Sequence, residues 1–311
     1  MAEIIETAFI VGLIAGAIKF SVPLLLASLG EVISQRSGVI NLGLEGVMLV
    51  GAFTGFLTAI VTGNIWIGFI AGMISGAAIA SLLPIISETL RANQIVTGLG
   101  IWLLGAGLTF FLFRVAFEGE FVPLVPGLEN IKIPFISDIP IIGRIFFQHN
   151  TLTYITFALI PAFYFLIFRT RIGLNIRSVG ENPHVAETLG LNPTRIRYYC
   201  VIFGGALAGL GGSYLALEYA GKFTENITAG VGFVAVAIVI LARWNPVGAL
   251  FGSLLFAGAI SLQLRLQAVG LELAPQFFFM LPYLLTIIAL VIASRGGRGP
   301  EALGAPFIKE K

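Results

Sequence analysis

The chain has 311 residues, 57% of them hydrophobic and only 11% charged, with a mean hydropathy of +0.98. A soluble domain carries about 25% charged residues, so this composition leaves too little polar surface for a water-exposed globule. A formal net charge of +2 gives no nucleic-acid footprint, and the single Cys200 excludes an internal disulfide and a cysteine metal cage.

An all-α, polytopic transmembrane helical bundle remains, one integral membrane domain over residues 1–311 with apolar runs of about 18 or more residues as spans. The chain opens on Glu3 and Glu6 without a basic n-region, so no cleavable signal peptide is expected. Ala8–Leu29, interrupted by Lys19 and Pro23, reads as one long span or two half-helices. After the basic turn at Gln35-Arg36, Asn41 and Glu45 stand at the mouth of an apolar run reaching Val61. A carboxylate at bilayer depth costs ~2.5–3.5 kcal/mol, so there Glu45 must face protein or a wet cavity. At the interface it would instead cap the first turn of its helix. Gly38, Gly43 and Gly46 permit a broken or re-entrant piece between the two.

Further spans are expected at Trp66–Ile86 and, with Gln94, Thr97 and Trp102 at its beginning, at Ile95–Phe113. The break 114–150 holds Pro123, Pro126, Pro134 and Pro140 with Glu118, Glu120, Glu129 and Asp138. Its mixed charge fits an extracytoplasmic loop, and so long a loop usually has a task. Thr151–Phe168 leads back to a polar island, 169–197, where Arg169, Arg171, Arg177, Arg195 and Arg197 mark the cytoplasmic side. Within it Asn182-Pro183 is an N-cap with proline at the first helical position, Gly190 a stop, and Asn192-Pro193 a second start. The two turns between, with Val185, Ala186 and Leu189 read onto one side, are too short to stand alone in water. They need the bundle or a cytoplasmic partner to lean on.

Tyr198–Leu217 is the next span and Glu218–Asn226 an outer turn. Ala229–Ala242 is too short to cross a ~30 Å core and ends in an Arg243-Trp244-Asn245-Pro246 interface stop. Val247–Leu264 and Gln276–Ala293 complete about nine spans (eight to ten). Arg295, Arg298, Lys309 and Lys311 hold the C-terminus inside. The N-terminus is outside if the first run is one helix and inside if it is a hairpin. The Gly-rich or short segments Gly38–Gly46 and Ala229–Asn245 point to an internal duplication, with a substrate site near the midplane.

No catalytic set emerges. His149 falls in the outer loop and His184 in the short helix, and Gly221-Lys222-Phe223 lacks the spacing of a phosphate-binding loop. Any nucleotide energy must therefore come from another chain. A stand-alone ion-coupled carrier, the competing class, would want carboxylates deep in spans, where only Glu45 and Glu218 come near. Aromatic faces and amide or hydroxyl groups for a small polar cargo are offered by Asn41, Glu45, Asn93, Gln94, Thr97, Trp102, Phe223 and Asn226.

Four stretches in order, GEVISQRSGVINLGLEGVMLVGAF (30–53), LRANQIVTGLGI (90–101), GENPHVAETLGLNPTRIR (180–197) and TAGVGFVAVAIVILARWNPVGALFG (228–252), resemble permease subunits of bacterial and archaeal ABC importers. The resemblance is to the branch serving nucleosides and simple sugars, related to ribose and branched-chain amino-acid permeases. It implies a multi-pass protein of the prokaryotic cell membrane, forming half of an import channel with a second permease subunit. Its further partners would be ABC ATPase subunits holding ATP and Mg, and an external substrate-binding lipoprotein. No cofactor, metal or nucleic acid is implied for this chain itself. The family's ATPase-coupling helix falls on Asn182, Pro183, His184, Ala186, Glu187, Thr188, Leu189 and Gly190. Nucleosides lead as cargo, ahead of simple sugars or a vitamin such as riboflavin.

Overall fold

The computed structural model describes residues 2–118, 121–132, 137, 139, 141–268 and 299–307, with isolated positions 280, 284, 287, 288 and 291. Helix α1, Ala2–Arg36, runs unbroken through Pro23, so the first apolar run is one helix and the hairpin alternative falls. Proline cannot donate to the preceding turn. Here the flanking Val22, Leu24, Leu25 and Leu26 are fully enclosed, and that packing holds the helix through the missing bond. The same enclosure carries α1 past the expected end at Leu29.

Next come α2, Leu44–Thr62, α3, Ile65–Thr89, and α4, Gln94–Phe117. The last turn of α3, Ile85–Thr89, widens to a π turn. Outside the bundle, β1 (Asn130–Lys132) pairs antiparallel with β2 (Gln148–Asn150), Ile131 opposite His149, around the short α5, Ile142–Phe146. Pro134, Asp138, Pro140 and Glu120 of that loop lie outside the described residues.

Helix α6, Thr151–Arg169, leads into the polar island, which holds two helices where one was expected. The addition is α7, Arg171–Glu181, started by the Thr170 hydroxyl accepting from Gly173 N. It buries Gly173, Ile176, Val179 and Gly180 along one face. Arg171, Asn175 and Ser178 lie round the helix from that face, so the two-sided pattern is present in the sequence and was passed over. Helix α8, Pro183–Thr188, precedes α9, Pro193–Tyr219, whose last turn is again a π turn over Leu215–Tyr219. The short α10, Val231–Leu241, and α11, Pro246–Ala268, follow.

Seven helices among the described residues are long and apolar enough to span a membrane. The short α10 is an eighth apolar helix, and the expected span Gln276–Ala293 lies almost wholly outside the described residues. Arg295, Arg298, Lys309 and Lys311 lie outside them too. The protein is a polytopic helical bundle with α2 and α9 as its most enclosed spans. α9 meets α3 where a Cβ on Gly209 would stand 2.1 Å from the Gly72 carbonyl oxygen. Only glycine fits that approach, and such small-residue seams bring helices together where lipid offers no hydrophobic drive.

Candidate translocation path and coupling helix

Between α1 and α2 the backbone leaves helical geometry, with Gly38 at φ +95. Inside a bundle every freed amide needs a partner. Ile40 N donates to Gln94 Oε1 (3.0 Å), Asn41 N to Glu31 Oε1 (2.9 Å), and Gly43 N to Asn41 Oδ1 (3.0 Å). Glu31 also accepts from Gln35 Nε2 at 2.8 Å, and Gln35 Oε1 from Trp244 Nε1 at 2.7 Å. The break is thus a built, non-helical wall, and Asn41 and Gln94 are two of its fasteners.

Glu45 is buried at the start of α2 and reaches across to another helix. Its Oε1 accepts from Thr228 Oγ1 (2.5 Å) and Gly230 N (2.7 Å), and its Oε2 from Gly232 N (2.6 Å). These donors form the N-terminus of α10, where the helix dipole and the unpaired amides favour a negative charge. The carboxylate caps α10 from across the bundle and not the first turn of its own helix. At ~1.5 Å per residue, α10 rises roughly 16 Å to the basic end, about half of a ~30 Å apolar thickness. That end gathers Arg36, whose Nε donates to the Trp244 carbonyl at 3.0 Å. α10 is a half-length strut fixed at both ends.

Above this junction a cavity of about 430 Å³ is lined by Leu49, Trp102, Ala106, Gly107, Thr109, Phe110, Glu225 and Asn226. Trp102 is steered by an edge contact with Phe233 at 5.5 Å, and Asn226 holds φ +56 on the approach to α10. Of the eight residues with suitable chemistry, Trp102 and Asn226 line this cavity. Asn41, Glu45 and Gln94 are buried and do not line it. Thr97 returns its hydroxyl to Asn93 O (2.8 Å), and Asn93 caps α4 through Ile95 N and Val96 N. Phe223 is 1% exposed in an aromatic cluster with Phe53, Phe56 and Phe113. Sequence reasoning missed Ala106, Thr109 and Phe110, although positions 102, 106, 109 and 110 share one face of α4 by helical spacing.

At the basic end, Asn182 Oδ1 accepts from Val185 N at 3.1 Å and starts α8, with Pro183 at its first position. Gly190, φ +85, ends it, and Leu191 N closes back to Ala186 O at 3.1 Å. Such a left-handed closure is the usual helix stop. Pro183 and Ala186 turn into the bundle, whereas Val185 and Leu189 are 53% and 76% exposed. The single-sided grouping of Val185, Ala186 and Leu189 is therefore corrected: Ala186 is buried, whereas Val185 and Leu189, four residues apart, stay outward. An apolar pair faces outward on a rigidly capped knob.

Residues 12–290 match the family model described as the permease component of the branched-chain amino acid transport system. The chain belongs to that permease family. Among relatives, it is 35% identical to a nucleoside ABC transporter permease protein of Lactococcus lactis, over 96% of this chain and 97% of that one. It is 36% identical to a guanosine ABC transporter permease protein of Bacillus subtilis, again over 96% and 97%. A putative glucose ABC transporter permease protein of Haloferax volcanii is 38% identical over 86% and 81%.

Proposed function

We propose that this permease is the membrane subunit of an ABC uptake system that imports nucleosides, with ATP hydrolysed on separate partner chains. End-to-end similarity to two permeases named for nucleoside and guanosine transport carries the reading. The cavity's chemistry supports it, since an indole face beside an amide and a carboxylate suits a flat base with polar edges. A second permease subunit would complete the path, with Asn41, Glu45 and Gln94 holding its wall and Asn93, Thr97 and Phe223 the helices around it. An external lipoprotein would deliver cargo at the end carrying β1 and β2. Lys/Arg enrichment supports a cytoplasmic placement of the other end, with the C-terminus.

In this reading the ATPase grips Val185 and Leu189. Closure of the ATPase pair pushes α8, and the capped joints at Asn182 and Asn192 pass the motion to α7 and α9 without bending. The path then opens alternately to either side. The test is ATP-driven uptake of labelled guanosine by the reconstituted complex, with Leu189→Arg lowering uptake while insertion stays intact. Glucose is the second candidate cargo, favoured by the similarity to the glucose permease. Competition by glucose but not by nucleosides would decide for it. Uptake by this chain alone under an ion gradient would overturn the ABC reading.

A further inference from the structure

The segment 299–307 crosses the basic end and touches four helices and two connections in nine residues. Gly299 sits against the Trp244 indole, so close that a Cβ there would meet the ring at 2.8 Å. Ala302 N donates to the Gly180 carbonyl at the end of α7 (3.0 Å), and Gly304 N to the Gly38 carbonyl in the α1–α2 break (3.1 Å). The Ala305 carbonyl accepts from Arg197 Nη1 of α9 at 2.9 Å, and Phe307 N donates to Glu88 Oε2 in the π turn of α3 at 3.3 Å. The Phe307 ring then rests 5.2 Å from the His184 ring of α8.

Beneath it lies a fully enclosed ion pair. Arg197 Nη1 stands 3.0 Å from both Glu88 oxygens, and both side chains have no exposed surface. Arg197 Nε donates to Ser37 O at 3.1 Å and Gln94 Nε2 to Glu88 Oε1 at 3.1 Å. A buried pair offsets its desolvation only where further hydrogen bonds satisfy its remaining groups, and among the described residues Arg197 Nη2 still has no partner. The segment contributes one of the carbonyls that Arg197 uses and one of the amides that Glu88 uses. A cavity of about 230 Å³, lined by Glu88, Arg91, Asn192 and Phe307 among others, reaches the pair from the side of α8. Phe307 is the part of its wall that comes from the tail.

α8 joins the bundle covalently only through α7 and α9. The tail supplies a further connection, from His184 through Phe307 to Glu88 and thus to α3. We propose that residues 299–307 are a strap that makes α8 and the Glu88–Arg197 pair one rigid unit, with Phe307 as the positioning residue. The strap sets how much cargo moves per ATP hydrolysed. It rests on the reading of α8 as the ATPase-coupling helix.

The experiment uses the full complex in liposomes, measuring labelled guanosine taken up and phosphate released for the same preparation. Compared are the native chain, Phe307→Ala, Phe307→Tyr and a chain ended at Arg298. The expected result is a fall of about fivefold or more in guanosine moved per ATP for Phe307→Ala and the shortened chain. Assembly with the ATPase should persist, and Phe307→Tyr should recover most of the ratio. A merely structural role would reduce the amount of assembled complex and leave the ratio per complex unchanged, and that overturns the proposal. Hydrogen exchange at residues 85–92 gives a check that needs no cargo. It should quicken when the strap is cut, and unaltered exchange there also counts against the strap. If the native complex itself fails to couple uptake to ATP, the functional reading fails, and exchange alone then judges the strap.

Discussion

Replacing Glu45 by glutamine tests whether one carboxylate holds the half-length strut α10 in place. The carboxylate takes three donors on two oxygens, at 2.5, 2.7 and 2.6 Å. A glutamine oxygen can keep Thr228 and Gly230, but its amide nitrogen then faces the Gly232 N–H. One charge-assisted bond is lost, worth about 1.5–3 kcal/mol, and a buried donor is left unpaired at about 1–3 kcal/mol. Together these give roughly 3–5 kcal/mol. The dipole interaction, up to ~2 kcal/mol, overlaps with the same bonds and is not added. In a chain of this size that corresponds to a melting temperature lower by on the order of 5 °C. Thermal unfolding of the purified chain in detergent reads it, with exchange at residues 230–233 locating the loss. Glu45→Ala should cost more, because all three donors lose their acceptor. Thr228→Val, which removes a single donor, should cost about 1 kcal/mol. An unchanged melting temperature for Glu45→Gln, or exchange that rises elsewhere and not at the start of α10, would refute the reasoning.

Gly209→Ala should destabilise by about 1–3 kcal/mol through overpacking against the Gly72 carbonyl, whereas Gly100→Ala, with open space around it, should be neutral in the same unfolding assay. Trp102→Ala and Asn226→Ala should raise the KM for uptake with little loss of melting temperature. Phe223→Ala, an aromatic core truncation, should instead cost about 3–5 kcal/mol of stability. His149 is buried within β2, with Nε2 2.7 Å from the Ile145 carbonyl oxygen. Burial chiefly lowers its pKa, nearby Lys19 lowers it further, and the Ile145 bond opposes. With the folded value below the ordinary 6.5, the unfolded segment takes up its proton first as pH falls, so stability is full above about 6.5 and declines below it. Exchange at residues 141–150, corrected for intrinsic rate, should quicken on acidification in the native chain and not in His149→Gln.

Hydrophobic run length and charge bias alone determined that the chain is a many-span membrane bundle, because lipid leaves few alternatives to internally bonded helices. Local capping chemistry did the same for α8: Asn182-Pro183 and Gly190 act through bonds within a few residues, so their meaning is legible in order. Tertiary structure decided the rest. Whether α1 broke at Pro23 depended on neighbours packed around it, and the docking of α7 depended on Gly173 and Gly180, which matter only when another backbone approaches. Glu45 carried the right chemistry in the sequence, but its partners Thr228, Gly230 and Gly232 are remote along the chain. Glu88 is likewise remote along the chain from Arg197 and from Phe307. Charge in a low-dielectric interior must be answered by some partner, and only the fold brings that partner near.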